Sequence, residues 1–198
     1  MLEQCRGSVQ TQVAADWQHL VGEDRGYRGC AWTVNRLAEQ AAGEWLFVLA
    51  DDDLIAPHCL VAHLSFSLYA DVVYAVPEVW PAFYCPACGR RSNRPGACMV
   101  GHTSEPLRAT APISGLTPPV LPASTLIRRE LWQELGGYNE AWTRAEDQEL
   151  YRRAQRAGAR FVHCTAPATW TVRRHPGCKT LAPLTELELA QWAEAGVT

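Results

Sequence analysis

A chain of 198 residues, 47% hydrophobic and 20% charged, has the balance of an ordinary water-soluble globular protein, with room for one compact domain and a sizeable core. That balance argues against fibrous and disordered classes. The net charge of -3 conceals basic pairs at Arg90-Arg91, Arg152-Arg153 and Arg173-Arg174, but no broadly basic face is legible, so nucleic acid is neither required nor excluded as a partner.

The opening MLEQCRGSVQ lacks a basic-then-apolar leader pattern, and no apolar run approaches the roughly 20 residues that cross a bilayer, so the expected location is cytoplasmic. Leu2, Cys5, Val9 and Val13 recur at helical spacing, and WQHLVGEDRG then reads as a short strand broken by turn residues. Residues 32–42 form a second helical stretch, with Gly43 suited to a left-handed cap, followed by EWLFVLA as a buried strand. Asp51, Asp52 and Asp53 stand at its carboxyl end. Pro57 suits a first helical turn, with Leu60, Leu64 and Leu68 as one apolar stripe, and DVVYAV is the next strand. Residues 77–120 interrupt this alternation: they hold eight of the thirteen prolines and the cysteine cluster, and read as an inserted loop or small subdomain. STLIRRELWQELGGY resumes a strand and a helix ended by Gly136-Gly137. TRAEDQELYRRAQRAGARFVH gives a helix with Leu150, Ala154 and Ala157 on one face, then a strand, and LTELELAQWAEA a terminal amphipathic helix. Alternating helices and apolar strands predict an α/β fold.

The aspartates carry the strongest chemical signal. In open α/β sheets ligands bind outside the carboxyl ends of the strands. Adjacent carboxylates about 4 Å apart repel by roughly 1 kcal/mol in water and about 4 kcal/mol at an effective dielectric near 20, a repulsion that a divalent cation turns into attraction. Magnesium and manganese take oxygen ligands and bridge carboxylates to substrate phosphates. A solvated turn whose acids favour the following helix N-terminus is the alternative.

NRLAEQAAGEWLFVLADDDLIAP resembles the donor-binding core of family 2 glycosyltransferases of the GT-A fold, where an Asn-containing helix, a Gly-Glu turn, a strand and an acidic metal-binding motif follow in that order. The resemblance continues through LPASTLIRRELWQELGGYNEAWTRAEDQELYRRAQRAGARF, similar to the family's strand, helix, Gly-Gly-aromatic turn and Glu-Asp-led helix, and ends at WTVRRH. It covers roughly residues 1–60 and 120–176. It implies a Rossmann-like mixed sheet flanked by helices, one domain over residues 1–198 with the 77–120 insertion inside it, and sugar transfer from a nucleotide-sugar donor.

On that resemblance Asp51 and Asp53 match an Asp-x-Asp metal motif, while the family's commonest version begins one residue earlier, at Ala50, which makes Asp52 and Asp53 an equal alternative. Asp52 is otherwise expected at the donor. Asp147 matches the general base of inverting members, which removes the acceptor hydroxyl's proton. TRAE also reads as a capping box with Thr143 as N-cap and Glu146 reaching back, a role compatible with the catalytic one. His175 matches a late histidine that completes the metal site, Asp24 an aspartate on the nucleotide base, and Asn35 a helix asparagine near the donor. A turn acid and a polar surface position are the plainer readings of the last two. Arg173 and Arg174 suit a diphosphate. Family members usually begin with an apolar strand and a Pro-Thr-x-Asn-like loop, which this sequence lacks; the resemblance then implies a chain that starts late, another segment or subunit that fills the gap, or a donor site that has degenerated.

CPACGRRSNRPGACMVGH places Cys85 and Cys88 two residues apart, and Cys98 and His102 three apart, which suits a tetrahedral structural zinc; free thiols are the alternative. The remaining cysteines, Cys5, Cys30, Cys59, Cys164 and Cys178, are scattered and read as ordinary thiols of a reducing compartment. The insertion is expected on the acceptor side, where Arg90, Arg91 and Arg94 suit an anionic acceptor. The leading expectation is a manganese- or magnesium-dependent, inverting glycosyltransferase with a zinc-stapled acceptor loop. Its acceptor is open among glycan, small molecule and modified DNA. The alternative class is a non-catalytic scaffold that binds nucleic acid or protein.

Overall fold

The computed structural model describes residues 1–13, 16–24, 26, 28–76, 125–166, 169–173 and 184–193, with backbone alone at 78–80, 83–84, 91–92, 105–106 and 194–195. Its elements run α1 (Leu2–Gln10), α2 (Cys30–Gln40), β1 (Trp45–Phe47), β2 (Leu54–Ile55), α3 (Cys59–Leu64), β3 (Val72–Tyr74), β4 (Glu78–Trp80), β5 (Phe83–Tyr84), β6 (Arg91–Ser92), β7 (Glu105–Pro106), β8 (Thr125–Arg128), α4 (Arg129–Glu134), α5 (Glu146–Arg156), β9 (Phe161–His163), β10 (Trp170–Arg173) and α6 (Glu186–Ala195). This is a mixed α/β fold.

The main sheet has the order β1-β8-β3-β9. β8 is antiparallel to both β1 and β3, and β3 is parallel to β9, so β1, β3 and β9 all point one way. α5 descends from the carboxyl edge of these strands before β9 rises again, which puts the first turn of α5 and the chain leaving β1 at the same edge. One face of the sheet carries a cluster of Leu46, Val72, Tyr74 and Ile127 packed with Ala31, Trp132, Tyr138, Leu150 and Tyr151 of the α2, α4 and α5 region. The other face packs Val73, Leu126 and Cys164 against Ala62 and Phe66. A second sheet, β2-β10-β4, is antiparallel at β2 and parallel at β4, so the first strand of the 77–120 stretch joins the body of the fold. β6-β5-β7 make a third, antiparallel sheet.

Several sequence expectations change. Residues 17–24 form no strand: among the described residues no strand ladder runs through them, and a strand without a ladder partner is only extended chain. Gly43 is not left-handed, and α2 ends at Ala41 in extended conformation; Gly136 and Gly137, with φ of 76° and 71°, do end α4 as expected. In α1 only Cys5 and Val9 are buried, and Val13 is exposed. The stripe of Leu60, Leu64 and Leu68 does not face the core. α3 is only six residues long and buries Cys59 and His63, while Leu64 is exposed and Leu68 is 75% exposed. His63 fits there because its Nδ1 donates to the Cys59 carbonyl (2.9 Å) and its ring meets Phe47 edge-on. On α5, Leu150 and Ala154 are buried as read, Ala157 is exposed, and Tyr151 and Arg152 are buried instead.

Candidate active site

The chain leaving β1 makes a tight turn closed by the Asp53 N–H donating to the Ala50 carbonyl (3.2 Å), which places Asp51 and Asp52 at the two central positions and Asp53 at the exit. Central side chains of such a turn point outward, whereas the exit residue rejoins a strand. Accordingly Asp51 is exposed, Asp52 half-buried and Asp53 only 6% exposed. Asp53 Oδ2 accepts the Trp170 indole N–H (3.0 Å) and Oδ1 accepts the Arg173 backbone N–H (3.0 Å). Burial lifts its pKa to about 6 against the pull of these donors. Both oxygens therefore face the chain's own β10.

The turn's backbone is gripped as firmly. The Cys5 thiol donates to the Ala50 carbonyl (3.4 Å), and burial raises the Cys5 pKa. Buried Arg173 turns its guanidinium inward: Nε donates to the Asp52 carbonyl, Nη1 to Gln4 Oε1 (2.6 Å) and Nη2 to the Met1 carbonyl (3.2 Å). That corrects the expectation of a diphosphate contact for Arg173; Arg174 and His175 lie outside the described residues. α1 is fastened to the same region, since the Ile55 N–H donates to Ser8 Oγ (3.2 Å) and Gln12 bonds the Ala56 carbonyl (2.7 Å) and the Leu60 N–H (3.1 Å).

Asp147 lies half-buried in the first turn of α5, with Oδ1 accepting the Gln148 N–H (2.7 Å). Beneath it are two buried phenols, Tyr138 and Tyr151. Burial raises the pKa of each, with the Asp147 charge adding to the effect, and the Tyr151 hydroxyl bonds Thr125 at the site end of β8. The expected capping box at Thr143 is absent. α5 starts from Ala145, left-handed at φ 61°, without a side-chain cap, and the Thr143 hydroxyl donates to Glu188 Oε1 (3.3 Å) on α6. A capping box does exist at Thr185 and Glu188, which carry the same T-x-x-E pattern.

The other predicted residues are committed within the chain. Asp24 Oδ1 accepts the Arg28 N–H (2.8 Å) and Oδ2 the Gly29 N–H (2.9 Å), which fixes the entry to α2. Asn35 is buried: Oδ1 accepts the Tyr138 N–H (2.9 Å), and Nδ2 donates to the Tyr138 carbonyl (2.9 Å) and to Glu140 Oε1 (3.0 Å). It clamps the Gly-Gly-Tyr turn onto α2. Cys85, Cys88, Cys98 and His102 lie outside the described residues. Among the described residues no three His, Cys, Asp or Glu side chains converge as a metal cage. Magnesium and manganese do not require one, because one or two carboxylates together with substrate phosphates and water hold them. Exposed Asp51 and half-buried Asp52 fit that type of site. No helix among the described residues is long and apolar enough to cross a membrane.

Sequence reasoning missed that Arg173 binds the Asp52 carbonyl, that Tyr151 lies near Asp147 and that Glu188 accepts the Thr143 hydroxyl; only Glu188 carried a local signal, in TELE. Two solved structures share the fold. S. aureus TarS 1–349 in complex with UDP-GlcNAc superposes with a TM-score of 0.64 at 16% identity, covering 92% of this chain and 58% of that one. The same fragment in complex with UDP gives 0.60 at 17%, covering 88% and 57%. The chain thus spans less than two thirds of that fragment. No curated protein is a significant match. The model of glycosyltransferase like family 2 matches residues 8–186, from within α1 to the start of α6, and so takes in both the acidic turn and the Asp147 helix: the chain belongs to that family.

Proposed function

We propose that this chain transfers a sugar from a nucleoside-diphosphate sugar to an acceptor hydroxyl, with inversion at the anomeric carbon and with a divalent cation. One observation carries the reading: the two central acids of a gripped turn and a third carboxylate at a helix N-terminus lie at one edge of the sheet, in a chain of this family. Asp51 and Asp52 are the residues that would hold magnesium or manganese, and Asp53 locks the turn to β10. The ion, when bound, neutralises charge on the departing diphosphate. Asp147 accepts the proton of the acceptor hydroxyl as the new carbon–oxygen bond forms, and the bond to the diphosphate breaks with its electron pair leaving on the phosphate oxygen. Asp24 and Asn35 act through the chain, setting α2 and the turn before α5, rather than by touching the donor. Structures of TarS with UDP and UDP-GlcNAc favour a uridine donor as the first to try. Cys85, Cys88, Cys98 and His102 are proposed to hold a structural zinc inside the 77–120 insertion, on the acceptor side.

The test is a thermal-shift titration with manganese and UDP-, GDP- and TDP-sugars on the native chain, Asp52→Asn and Asp147→Asn. Ligand at 100 times its Kd stabilises the folded state by about 2.7 kcal/mol. A manganese-dependent shift that is lost in Asp52→Asn, together with turnover lost but binding kept in Asp147→Asn, supports the reading. A folded, manganese-loaded chain that neither binds nor hydrolyses any donor refutes it. Product anomer analysis by NMR decides inversion, and zinc content unchanged in Cys85→Ser and Cys98→Ser would dismiss the zinc site.

A further inference from the structure

We infer that Glu188, on α6, is a positioning residue for Asp147; the inference rests on the reading of Asp147 as the base. α5 begins abruptly. Its N-cap, Ala145, sits at φ 61° and ψ 28°, a region that a residue with a Cβ enters only when its surroundings enforce it. The enforcement comes from α6. One oxygen of the Glu188 carboxylate, Oε1, accepts the Thr143 hydroxyl (3.3 Å) and lies 3.5 Å from Arg144 Nε. The other, Oε2, accepts the Thr185 N–H (2.8 Å) and hydroxyl (3.0 Å), so the capping box of α6 holds the carboxylate still. Gln191, one turn further along α6, donates to the Ala141 carbonyl (2.8 Å). The segment between the Asn35-clamped turn and α5 is therefore fixed at Ala141, Thr143 and Arg144, all from one helix face.

Glu188 is 6% exposed, and the Thr185 N–H leads the contacts that hold its carboxyl below the usual range, so it meets Arg144 as an anion. A carboxylate that accepts the Thr143 hydroxyl and pairs by charge with Arg144, the two residues that precede the strained N-cap, sets the direction in which α5 starts. Asp147 is the second residue of that helix, and small angular errors there become displacements of its carboxylate from the acceptor oxygen.

The experiment compares the native chain with Glu188→Ala and the milder Thr143→Val. It reads amide hydrogen exchange, UDP affinity by calorimetry, and UDP-GlcNAc hydrolysis with manganese, in which water takes the acceptor's place. In Glu188→Ala, amides of residues 146–149 should exchange about tenfold faster while those of α2 stay within about twofold. The kcat for hydrolysis should fall about tenfold or more with UDP affinity kept within about twofold, and Thr143→Val should move both readouts the same way by less. Unchanged exchange at 146–149, unchanged kcat, or parallel loss of kcat and UDP affinity overturns the inference. If the native chain hydrolyses no donor while the exchange difference is present, the clamp stands as a contact but the reading of Asp147, and with it the positioning role, falls.

Discussion

Gly136 and Gly137 offer a paired test of how the turn ahead of α5 is held. Both are left-handed, at φ 76° and 71°, so alanine at either pays the same backbone penalty, about 1–2 kcal/mol. Their surroundings differ. A Cβ at Gly136 meets nothing within 4 Å, whereas one at Gly137 falls 2.4 Å from Asn35 Oδ1, 2.9 Å from Trp132 Nε1 and 3.1 Å from Asn35 Cγ. Asn35 is buried and held by three hydrogen bonds to Tyr138 and Glu140, so it cannot swing aside without losing them, at about 0.5–1.5 kcal/mol each. Gly137→Ala should therefore destabilise by about 3–6 kcal/mol and Gly136→Ala by about 1–2 kcal/mol. Urea unfolding followed by far-UV circular dichroism reads this as a lower midpoint at unchanged slope. In an Asn35→Ala background the part of the excess at Gly137 that comes from the amide should vanish, leaving the contact with Trp132 Nε1. Equal midpoints for the two glycine variants, or an undiminished excess in the Asn35→Ala background, would refute the clamp.

Asp71 gives the pH dependence. Arg160 donates to it through its backbone N–H (2.8 Å), Nε and Nη2, and this pairing first among the causes lowers the Asp71 pKa. A depressed carboxyl contributes stability above its unfolded pKa, near 3.8, that is lost as pH falls through the lower folded value. Since Arg160 is largely exposed, Asp71→Asn should destabilise by only about 1 kcal/mol at pH 7, with the gap between native and variant urea midpoints closing below pH 4; a gap that persists at pH 2.5 would contradict this. Trp170→Phe keeps a ring against Phe47 (5.2 Å between centroids) but removes the N–H on Asp53, and should lower stability by about 1–3 kcal/mol; a calorimetric melting point within a degree of the native one would show that the bond is dispensable. Leu68→Ser should change stability by less than about 0.5 kcal/mol and Leu150→Ala by about 2–5 kcal/mol, both by chemical denaturation, and a large effect at Leu68 would restore the buried stripe.

The contrast between those two leucines shows where sequence was informative. EWLFVLA, DVVYAV and STLIRR were legible because each is an apolar run bounded by turn residues, and burial on both sides leaves such a run little choice. The Leu60, Leu64 and Leu68 pattern misled because α3 is too short to extend a stripe, and its core face is set by Cys59 and a histidine whose polar atom is satisfied within the same turn. Residues 17–24 have strand-like composition, but a strand is a relation between two segments. Asn35 was read by resemblance as a donor-side asparagine, while its observed partners at Tyr138 and Glu140 lie over a hundred residues away, beyond any local pattern. Thr143 and Thr185 show the limit most directly. The same T-x-x-E spacing forms a capping box at Thr185 and not at Thr143, because Glu188 draws the Thr143 hydroxyl toward α6.

Three consecutive aspartates after an apolar strand are tolerable because the turn sends them into different surroundings. Asp51 and Asp52 occupy central turn positions, where water or a cation meets them, and Asp53 returns to the sheet, where Trp170 and Arg173 each donate to one of its oxygens. Burial nevertheless lifts Asp53 to a pKa of about 6, so desolvation outweighs the two donors. A core hydrophobe there would avoid that opposition but would leave the indole and backbone N–H groups of β10 without acceptors. Keeping an acid at the exit thus ties the turn to β10, and Arg173 extends the tie through the Asp52 carbonyl to α1. The backbone of the turn is held through its carbonyls, at Ala50 by Cys5 and at Asp52 by Arg173. That leaves a rigid base under the two central acids, the arrangement the proposed cation-assisted site needs if its ligands are not to reorganise each time a substrate arrives.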